Sequence, residues 1–199
     1  MTLVNFDTPR FRFAPTPLAG VWQLGRKPLA DTRGSFMRSY CAREFEAIGL
    51  TRPIVQINHS ASARRGTVRG LHFQHPPHGE TKIVDCVAGR IFDVALDLRA
   101  GSPTFLRWFG IELSAGNRQG LIIPPGVAHG YQTLEDDAEV MYLVDAPYRA
   151  DREDGVNPFD PAIAIAWPLP ASEVSARDAE RAHLDVAAFT GIGEAPDDR

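Results

Sequence analysis

The stretch of sequence that decides the fold is residues 82–98, Lys82-Ile83-Val84-Asp85-Cys86-Val87-Ala88-Gly89-Arg90-Ile91-Phe92-Asp93-Val94-Ala95-Leu96-Asp97-Leu98. Two apolar runs, both containing β-branched residues, lie on either side of Ala88-Gly89. A two-residue connection that ends in glycine between such runs is typical of a β-hairpin. The stretch therefore predicts two antiparallel strands, residues 82–87 and 90–98, that pair with each other.

Short apolar runs separated by turn residues continue on both sides of this stretch, from residue 54 to residue 167. They predict eight strands: residues 54–58, 67–74, 82–87, 90–98, 107–113, 120–123, 130–133 and 139–144. So many short strands within one segment predict a mainly β chain, folded as an antiparallel sandwich or barrel. A jelly roll with short flanking helices is the favoured architecture.

The segments outside the predicted jelly roll, residues 31–170, have a different composition. Residues 1–30 contain four prolines and show weak periodicity, so we expect an arm that lies along the domain or along a second subunit. Residues 171–190 are more polar and predict a helical segment that packs on the sandwich. Residues 191–199 predict a disordered tail.

Capping patterns predict two short helices. The first covers residues 39–49, with Ser39 as the N-cap, Phe45 and Ile48 on one face, and Gly49 just after the C-terminus. The second begins in residues 175–178, Ser-Ala-Arg-Asp, which resemble a capping box with Asp in place of Glu.

Charge and cysteine content limit the class of protein. The formal net charge is −4, so a nucleic-acid or anionic-membrane partner is not expected. No run approaches the roughly 20 apolar residues of a membrane helix, and the N-terminus lacks a signal-peptide pattern. Cys41 and Cys86 lack CxxC spacing, so we expect buried free thiols in a reducing cytoplasm.

The predicted strand at residues 67–74 carries the first candidate for chemistry. In an extended chain Gly70, His72 and Gln74 share one face, and Leu71 and Phe73 share the other. An imidazole titrates near neutral pH, which makes His72 a candidate general base. The alternative interpretation is a core histidine with satisfied hydrogen bonds.

Further polar side chains are candidates for binding or catalysis: Arg33, Gln56, Asn58, Arg69, Lys82, His129, Tyr142 and Asp178. The alternative for the cations and the two amides is an ordinary solvent-exposed strand face, and for His129 it is a structural turn histidine. Arginine and lysine suit phosphate oxygens or a developing oxyanion. Tyr142 is either a proton donor or a core tyrosine. Asp178 either caps a helix or orients the imidazole of His72, although nothing in their spacing joins the two.

A metal site is the main alternative at this pocket. Five potential ligands are close in sequence or in the predicted strands: His72, His75, His78, Glu80 and His129. Such a set can hold a divalent cation. Pro76-Pro77 stiffens the loop, however, and we expect His75 and His78 to point to solvent, so we expect no metal.

Eight motifs in order, from residue 31 to residue 168, carry a family resemblance: Asp-Thr-Arg-Gly-Ser-Phe at 31–36, Gln-Ile-Asn-His-Ser at 56–60, Arg-Gly-Leu-His-Phe-Gln at 69–74, Lys-Ile-Val at 82–84, Phe-Asp-Val-Ala-Leu-Asp at 92–97, Gly-Ser-Pro-Thr-Phe at 101–105, Ile-Pro-Pro-Gly-Val-Ala-His-Gly-Tyr at 123–131, and Trp-Pro at 167–168. One such motif is weak, but the ordered set is specific. The chain resembles the dTDP-4-dehydrorhamnose 3,5-epimerase family of deoxysugar biosynthesis.

This resemblance implies a fold and an activity. The fold is a cupin-type jelly roll, usually a homodimer in which N-terminal strands cross between subunits. The activity is inversion of C3, C5 or both in a nucleotide-linked 4-keto-6-deoxyhexose, by proton abstraction, enolate formation and reprotonation. The resemblance also implies a site without metal or cofactor, and a nucleotide-sugar substrate.

The resemblance also assigns roles to residues. His72 is similar to the family's base, Asp178 to its carboxylate partner, Tyr142 to the opposing acid, and Lys82 to the group that stabilises the enolate oxygen. The remaining matches imply substrate-binding residues: Arg33, Phe36, Gln56, Asn58, Arg69, His129 and Tyr148. Among these, Arg33 and Tyr148 match positions that contact the nucleotide.

The chain departs from the family pattern at four places. Arg38 stands where the family often has an acidic residue, and Glu80-Thr81 precedes the lysine where the family commonly reads Gln-Gly. Pro158-Phe159-Asp160 replaces the family's Trp-Asn-Asp, and residues 1–30 do not align with the family. The nucleotide base and the number of inverted centres therefore stay open. The alternatives are a single-site epimerase acting on another nucleotide sugar, a metal-dependent cupin enzyme, and a silent sugar-binding cupin. Retention of His72, Lys82, Tyr142 and Asp178 argues against the silent cupin.

Overall fold

The computed structural model describes residues 4–193, which form two facing β-sheets, a small hairpin and two one-turn helices. The strands are β1 (Phe6–Asp7), β2 (Phe11–Pro15), β3 (Trp22–Arg26), β4 (Leu29–Asp31), β5 (Gly34–Phe36), β6 (Gln56–Ser62), β7 (Thr67–Gln74), β8 (Lys82–Ala88), β9 (Arg90–Asp97), β10 (Trp108–Ser114), β11 (Gln119–Ile123), β12 (Val127–Thr133), β13 (Ala138–Val144), β14 (Glu153–Gly155) and β15 (Glu173–Val174). The helices are α1 (Ala42–Phe45), which runs into a 3-10 turn (Glu46–Ile48), and α2 (Ala176–Ala179).

The first sheet has seven strands in the order β1-β2-β3-β11-β8-β13-β6. The second has the order β10-β9-β12-β7-β14, with β15 added in parallel beside β7. Strands β4 and β5 form a separate hairpin. All pairings except β15–β7 are antiparallel, which confirms the predicted mainly β jelly-roll sandwich.

The predicted hairpin of residues 82–98 is wrong, although both of its strands are present. Strand β8 pairs with β11 and β13 in the first sheet, whereas β9 pairs with β10 and β12 in the second. Gly89, at a φ of +66°, turns the chain from one sheet to the other. Both strands are central and mostly buried, so neither has the solvent-facing side of an isolated hairpin.

Side-chain alternation divides the apolar residues into an inner and an outer layer. On β8, Val84 and Cys86 point between the sheets and pack in the inner core, while Ile83 points to the outer face. Phe45 of α1 covers that outer face, with its ring centroid 5.0 Å from that of Phe11. Full burial of such an aromatic side chain stabilises the fold by roughly 1.5–3 kcal/mol.

The N-terminal segment is part of the sandwich. We expected an arm over residues 1–30, but β2 and β3 extend the seven-stranded sheet and β3 pairs with β11. Phe11, Phe13 and Leu24 are fully buried on one face of these strands. Among the described residues, this segment therefore lies along its own domain and has no boundary with it at residue 30.

The first predicted helix is shorter than expected. Residues 42–45 form one α-turn and Cys41, not Ser39, occupies the N-cap position. The Ser39 carbonyl instead accepts a hydrogen bond of 3.2 Å from the buried Arg26 guanidinium, which fixes it outside the helix. Gly49 ends the segment in the left-handed region at a φ of +83°, as predicted.

The C-terminal segment is mostly irregular rather than helical. Ser175 caps α2 by accepting from the Asp178 backbone N–H, as predicted. The helix ends after one turn because the Asn157 side-chain amide donates to the carbonyls of Ala179 and Arg181. The rest of residues 171–190 still packs on the second sheet, with Leu184 and Phe189 against its outer core.

The predicted disorder of residues 191–199 is wrong for the part that is described. Ile192 is buried, and its N–H donates to the Leu98 carbonyl at 2.7 Å. The apolar side chain of Ile192 can be buried even though the surrounding tail is polar, which explains this contact. Residues 194–199 of the predicted tail lie outside the described residues.

The cysteines and the helices test two expectations drawn from the composition. Cys41 and Cys86 are free thiols, as expected, with Cys86 buried and Cys41 partly exposed. Burial raises the pKa of the Cys86 thiol to about 11. No helix among residues 4–193 has the length and apolar character needed to span a bilayer.

Candidate active site

A cavity of about 1120 Å³ lies between the two sheets. Nine of the eleven predicted site residues line it: Gln56, Asn58, Arg69, His72, Lys82, His129, Tyr142, Tyr148 and Asp178. Strands β6, β8 and β13 form one wall, and β7, β12 and β14 form the other. The structure therefore brings together residues that are up to 122 positions apart, from Gln56 to Asp178 (178 − 56).

His72 and Asp178 form a dyad on the second sheet. His72 Nε2 lies 2.7 Å from Asp178 Oδ1, and 29% of the His72 side chain is exposed to the cavity side while Asp178 is buried. A hydrogen on Nε2 that donates to the carboxylate leaves the lone pair on Nδ1. This is the arrangement of a base whose tautomer is fixed by an acid.

The Asp178 carboxylate is held ionised by its donors. Burial opposes ionisation and is the largest influence on its pKa. The hydrogen bond and charge of His72, the bond to Ser175 and the Gly70 N–H outweigh burial and hold the pKa of Asp178 below its usual range. An ionised carboxylate at this position can stabilise the positive charge that a proton-accepting imidazole gains.

Tyr142 approaches from the opposite wall. It lies on β13 directly opposite Asn58 of β6 and Val84 of β8, so all three share the inner face of the first sheet. Burial, followed by the charges of Tyr131, Glu80 and Glu153, raises the pKa of the Tyr142 phenol. The hydroxyl therefore keeps its proton at neutral pH and can donate it.

Lys82 shares the inner face of the first sheet with Tyr142 and is not a free cation. Its Nζ lies 3.1 Å from Glu80 Oε1 and donates to the His72 carbonyl at 3.2 Å. Both the lysine and the glutamate side chains are about nine-tenths buried. The ammonium therefore lies between the two walls, close to the backbone of the candidate base.

His129 and Asp93 form a second dyad, which is more buried than that of His72 and Asp178. His72 and His129 are paired residues on β7 and β12, and His129 Nε2 lies 2.7 Å from Asp93 Oδ1. Both members of this dyad are nearly inaccessible. The position of His129 is thus compatible with the expected role as a residue that lines the substrate cavity. Its ring is fixed by Asp93.

A polar cluster surrounds one end of the cavity. The Gln56 amide donates to Asn58 at 2.8 Å, so the two amides share one face as predicted. The Tyr148 hydroxyl donates to Glu153 at 2.8 Å, and Arg177 contacts the same carboxylate at 2.7 Å. Burial opposes ionisation of Glu153, but these donors and the charge of His72 lower its pKa overall.

The residues of the alternative metal site do not converge. His75 is half-exposed and contacts Asp154 rather than His72. Glu80 is occupied by Lys82 and Gln74. Within residues 4–193 no three histidine, cysteine or carboxylate side chains are arranged to hold a metal ion.

A comparison with known protein families decides the classification. A model of the family described as dTDP-4-dehydrorhamnose 3,5-epimerase matches residues 15–185. The chain belongs to this family. Membership makes the protein an enzyme of the isomerase class, which confirms both the family and the enzyme class expected from the sequence.

Individual epimerases are similar over nearly the whole chain. The dTDP-4-dehydrorhamnose 3,5-epimerase of Salmonella typhimurium is 42% identical over 177 residues, covering 88% of this chain and 96% of the relative. The dTDP-4-dehydrorhamnose 3-epimerase of Streptomyces niveus is 40% identical over 182 residues, covering 91% and 87%. The crystal structure of the Legionella pneumophila dTDP-6-deoxy-D-glucose-3,5-epimerase in complex with dTDP-4-keto-L-rhamnose has a TM-score of 0.86 at 34% identity, covering 94% and 99%.

Two of the residues that the epimerase resemblance implied lie outside the cavity. Arg33 and Phe36 are on the β4–β5 hairpin, where the Arg33 side chain is 88% exposed and forms an ion pair with Asp31. Phe36 is 65% exposed. Neither side chain lines the cavity of its own subunit, and a substrate-binding role for Arg33 and Phe36 stays a prediction.

Several epimerase site residues were not predicted from the sequence as such: Glu80, Asp93, Tyr131, Glu153 and Arg177. A carboxylate in a buried apolar strand, as at Asp93, indicates a paired group and was the available signal. Tyr131 bonds Ser60 at 3.0 Å, and was present only as part of a motif. Glu153 gave no signal, because its loop is placed only by pairing β14 with β7.

Proposed function

We propose that the protein epimerises a nucleotide-linked 4-keto-6-deoxyhexose at C3, C5 or both, through an enolate and without a cofactor. The observation that carries this proposal is the position of His72 with Asp178 on one wall of the cavity and of Tyr142 on the other. A base and an acid on opposite walls are what inversion of a carbon centre requires.

The first step is removal of a proton next to the ketone. A 4-keto group acidifies the hydrogens on C3 and C5. His72 takes one of them, and the resulting imidazolium is stabilised by the ionised Asp178 carboxylate at 2.7 Å. The electron pair of the broken C–H bond forms a double bond to C4, and negative charge moves onto O4.

The enolate oxygen needs a donor in a dry environment. Lys82 lines the cavity between the walls; its ammonium donates to the His72 carbonyl and forms an ion pair with Glu80. An ammonium has three N–H donors, so it can also donate to O4, where a fixed charge-assisted bond is worth more than in water.

The second proton transfer completes the inversion. Tyr142, whose pKa burial raises, donates from the opposite wall to the carbon that His72 deprotonated. The incoming proton arrives on the other face of the ring and the configuration changes. Return of the proton from His72 to the same face would restore the starting sugar.

The substrate proposal follows the relatives. The Legionella pneumophila structure is described with dTDP-4-keto-L-rhamnose, which supports a dTDP-linked ketosugar for this chain. The Streptomyces niveus relative is a 3-epimerase, which supports single inversion at C3 as the second candidate.

One experiment distinguishes these activities. The protein is incubated with dTDP-4-keto-6-deoxyglucose, and the products are reduced and assigned by NMR. Inversion at C3, at C5 or at both supports the proposed function and fixes the number of centres. A substrate recovered with its configuration and its hydrogens unchanged would contradict the proposed function.

We also propose that the site is completed by a second subunit. The cavity lining holds three permanent cations and four carboxylates: Arg69, Lys82 and Arg177, against Glu80, Glu153, Glu173 and Asp178. With more carboxylates than permanent cations, the cavity of one subunit does not favour binding of a diphosphate. The exposed Arg33 and Phe36 of one protomer are suited to reach the cavity of its partner in a homodimer.

The remaining expectations complete the proposal. The partners are a nucleotide sugar and a second copy of the chain, with neither nucleic acid nor membrane. Free thiols at Cys41 and Cys86 support a reducing compartment, and we propose the cytoplasm.

A further inference from the structure

The carboxylate beside Lys82 is the feature of the site that the proposed reaction does not use. Glu80 Oε1 lies 3.1 Å from Lys82 Nζ, and about nine-tenths of each side chain is buried. A buried ion pair costs desolvation free energy, and apolar residues of similar volume often stabilise a fold as well or better. The pair therefore needs an explanation beyond stability.

The Glu80 carboxylate is itself held in place. Its second oxygen accepts a hydrogen bond from the amide of Gln74, which is buried. The Gln74 carbonyl in turn accepts from the Arg149 backbone N–H at 2.6 Å. A chain of bonds thus connects the ammonium to the backbone that follows the β13 wall, so Glu80 has little freedom to move.

The ammonium is consequently held by two fixed groups. It donates to the His72 carbonyl at 3.2 Å and forms an ion pair with Glu80 at 3.1 Å. A lysine side chain has four rotatable bonds and loses much entropy when one position is required of it. Two oxygens at fixed positions determine where the ammonium lies.

We propose that Glu80 is a positioning residue for Lys82, which holds the ammonium where it can donate to the oxygen that becomes the enolate O4. This inference rests on the proposed function. It assigns Glu80 no contact with the substrate, since its two oxygens are engaged by Lys82 and Gln74. Its effect on the rate passes through Lys82 alone.

The test is a double-mutant cycle with Glu80→Ala, Lys82→Met and the double variant. The readouts are kcat, KM and the rate of solvent deuterium incorporation. Because misplacing a catalytic group by about 1 Å can cost roughly 100-fold, we expect Glu80→Ala to lower kcat by about 10- to 100-fold with KM little changed. The double variant should lose no more activity than Lys82→Met, because Glu80 has nothing left to position.

Two further variants separate positioning from structure. Glu80→Gln keeps an acceptor of the same shape and should recover most of the kcat that Glu80→Ala loses. Glu112→Ala is the matched control, since this carboxylate is exposed on β10 and contacts Arg90 only loosely, at 3.5 Å. If Glu80→Ala fails to fold, the cycle is run with Glu80→Asp, which withdraws the carboxylate by one methylene.

The outcomes are distinguishable. A kcat for Glu80→Ala within twofold of the wild type, or losses that multiply in the double variant, would overturn this inference while leaving an active epimerase. A wild-type protein without deuterium exchange or epimerisation would overturn the proposed function and this inference together.

Discussion

His72 and Asp178 lie 106 positions apart in the sequence, yet the histidine Nε2 and the aspartate Oδ1 are separated by 2.7 Å. The contact forms because β15 pairs in parallel with β7 and brings the capped turn of α2 over the strand that carries His72. Two distant segments therefore make one base, and its protonation depends on both.

The first prediction concerns the acid of this dyad. Asp178→Asn keeps the shape of the side chain but removes the charge that stabilises the imidazolium, so the rate of proton abstraction should fall by about 10²- to 10⁴-fold. Solvent deuterium incorporation measures that rate. Binding of dTDP, measured by calorimetry, should change little. An unchanged exchange rate would remove Asp178 from the dyad.

The second prediction separates the acid from the base. Tyr142→Phe retains the ring and removes the proton donor of the opposite wall. Exchange at the reacting carbon should continue, since His72 is intact, while inversion falls by about 100-fold or more. NMR of the recovered sugar reports both quantities. Parallel loss of exchange and inversion would show that Tyr142 does not act as a separate acid.

The third prediction concerns stability and pH. Asp97 is fully buried, and although burial raises its pKa, bonds from Arg99, Ser102 and Thr104 lower the pKa from 3.8 to about 2. This difference stabilises the folded state by roughly 2 kcal/mol above pH 4, and the contribution is lost as the pH falls through about 2.

Asp97→Asn should therefore lower the free energy of unfolding by roughly 2 kcal/mol at neutral pH, and by less near pH 2. Urea titrations at both values measure the change. The exposed Asp151→Asn serves as the control and should have little effect. An equal loss at both pH values would contradict the assigned cause.

The fourth prediction tests the shared site. A dimer of His72→Ala subunits lacks the base, and a dimer of Arg33→Glu subunits lacks the proposed contribution from its partner. After unfolding and refolding together, mixed dimers should contain one complete site. Activity should return to about a quarter of the wild-type value, since half of the dimers are mixed and each has one complete site of two. No recovery in mixed dimers would contradict a contribution of Arg33 to the partner's site, and wild-type activity of Arg33→Glu alone would place Arg33 outside the active site.

The strands and most of the pocket were predictable from the sequence, because apolar alternation and polar interruptions depend on local pattern. His72, Lys82 and Tyr142 lie on such strands and face the cavity. The pairing of strands was not predictable in the same way. Residues 82–98 have the local signature of a hairpin, but the partners of β8 and β9 come from β11, β13, β10 and β12, which no local pattern specifies.

Contacts between distant loops could not be predicted from the local sequence pattern for the same reason. Glu153 becomes a lining residue only through the pairing of β14 with β7, and Glu80 becomes a partner of Lys82 only once the preceding loop folds against β8. The exposed hairpin that carries Arg33 is a different case. Its proposed role requires a second subunit, so no pattern within the sequence of one chain could place it.

The most direct test of the central claim is solvent deuterium incorporation at C3 and C5 of dTDP-4-keto-6-deoxyglucose, measured by NMR for the wild type and for His72→Ala. Deuterium should appear with the wild-type protein at one or both carbons. With His72→Ala, deuterium should appear no faster than it does in the absence of enzyme. Exchange by His72→Ala at the wild-type rate would contradict the assignment of this imidazole as the base.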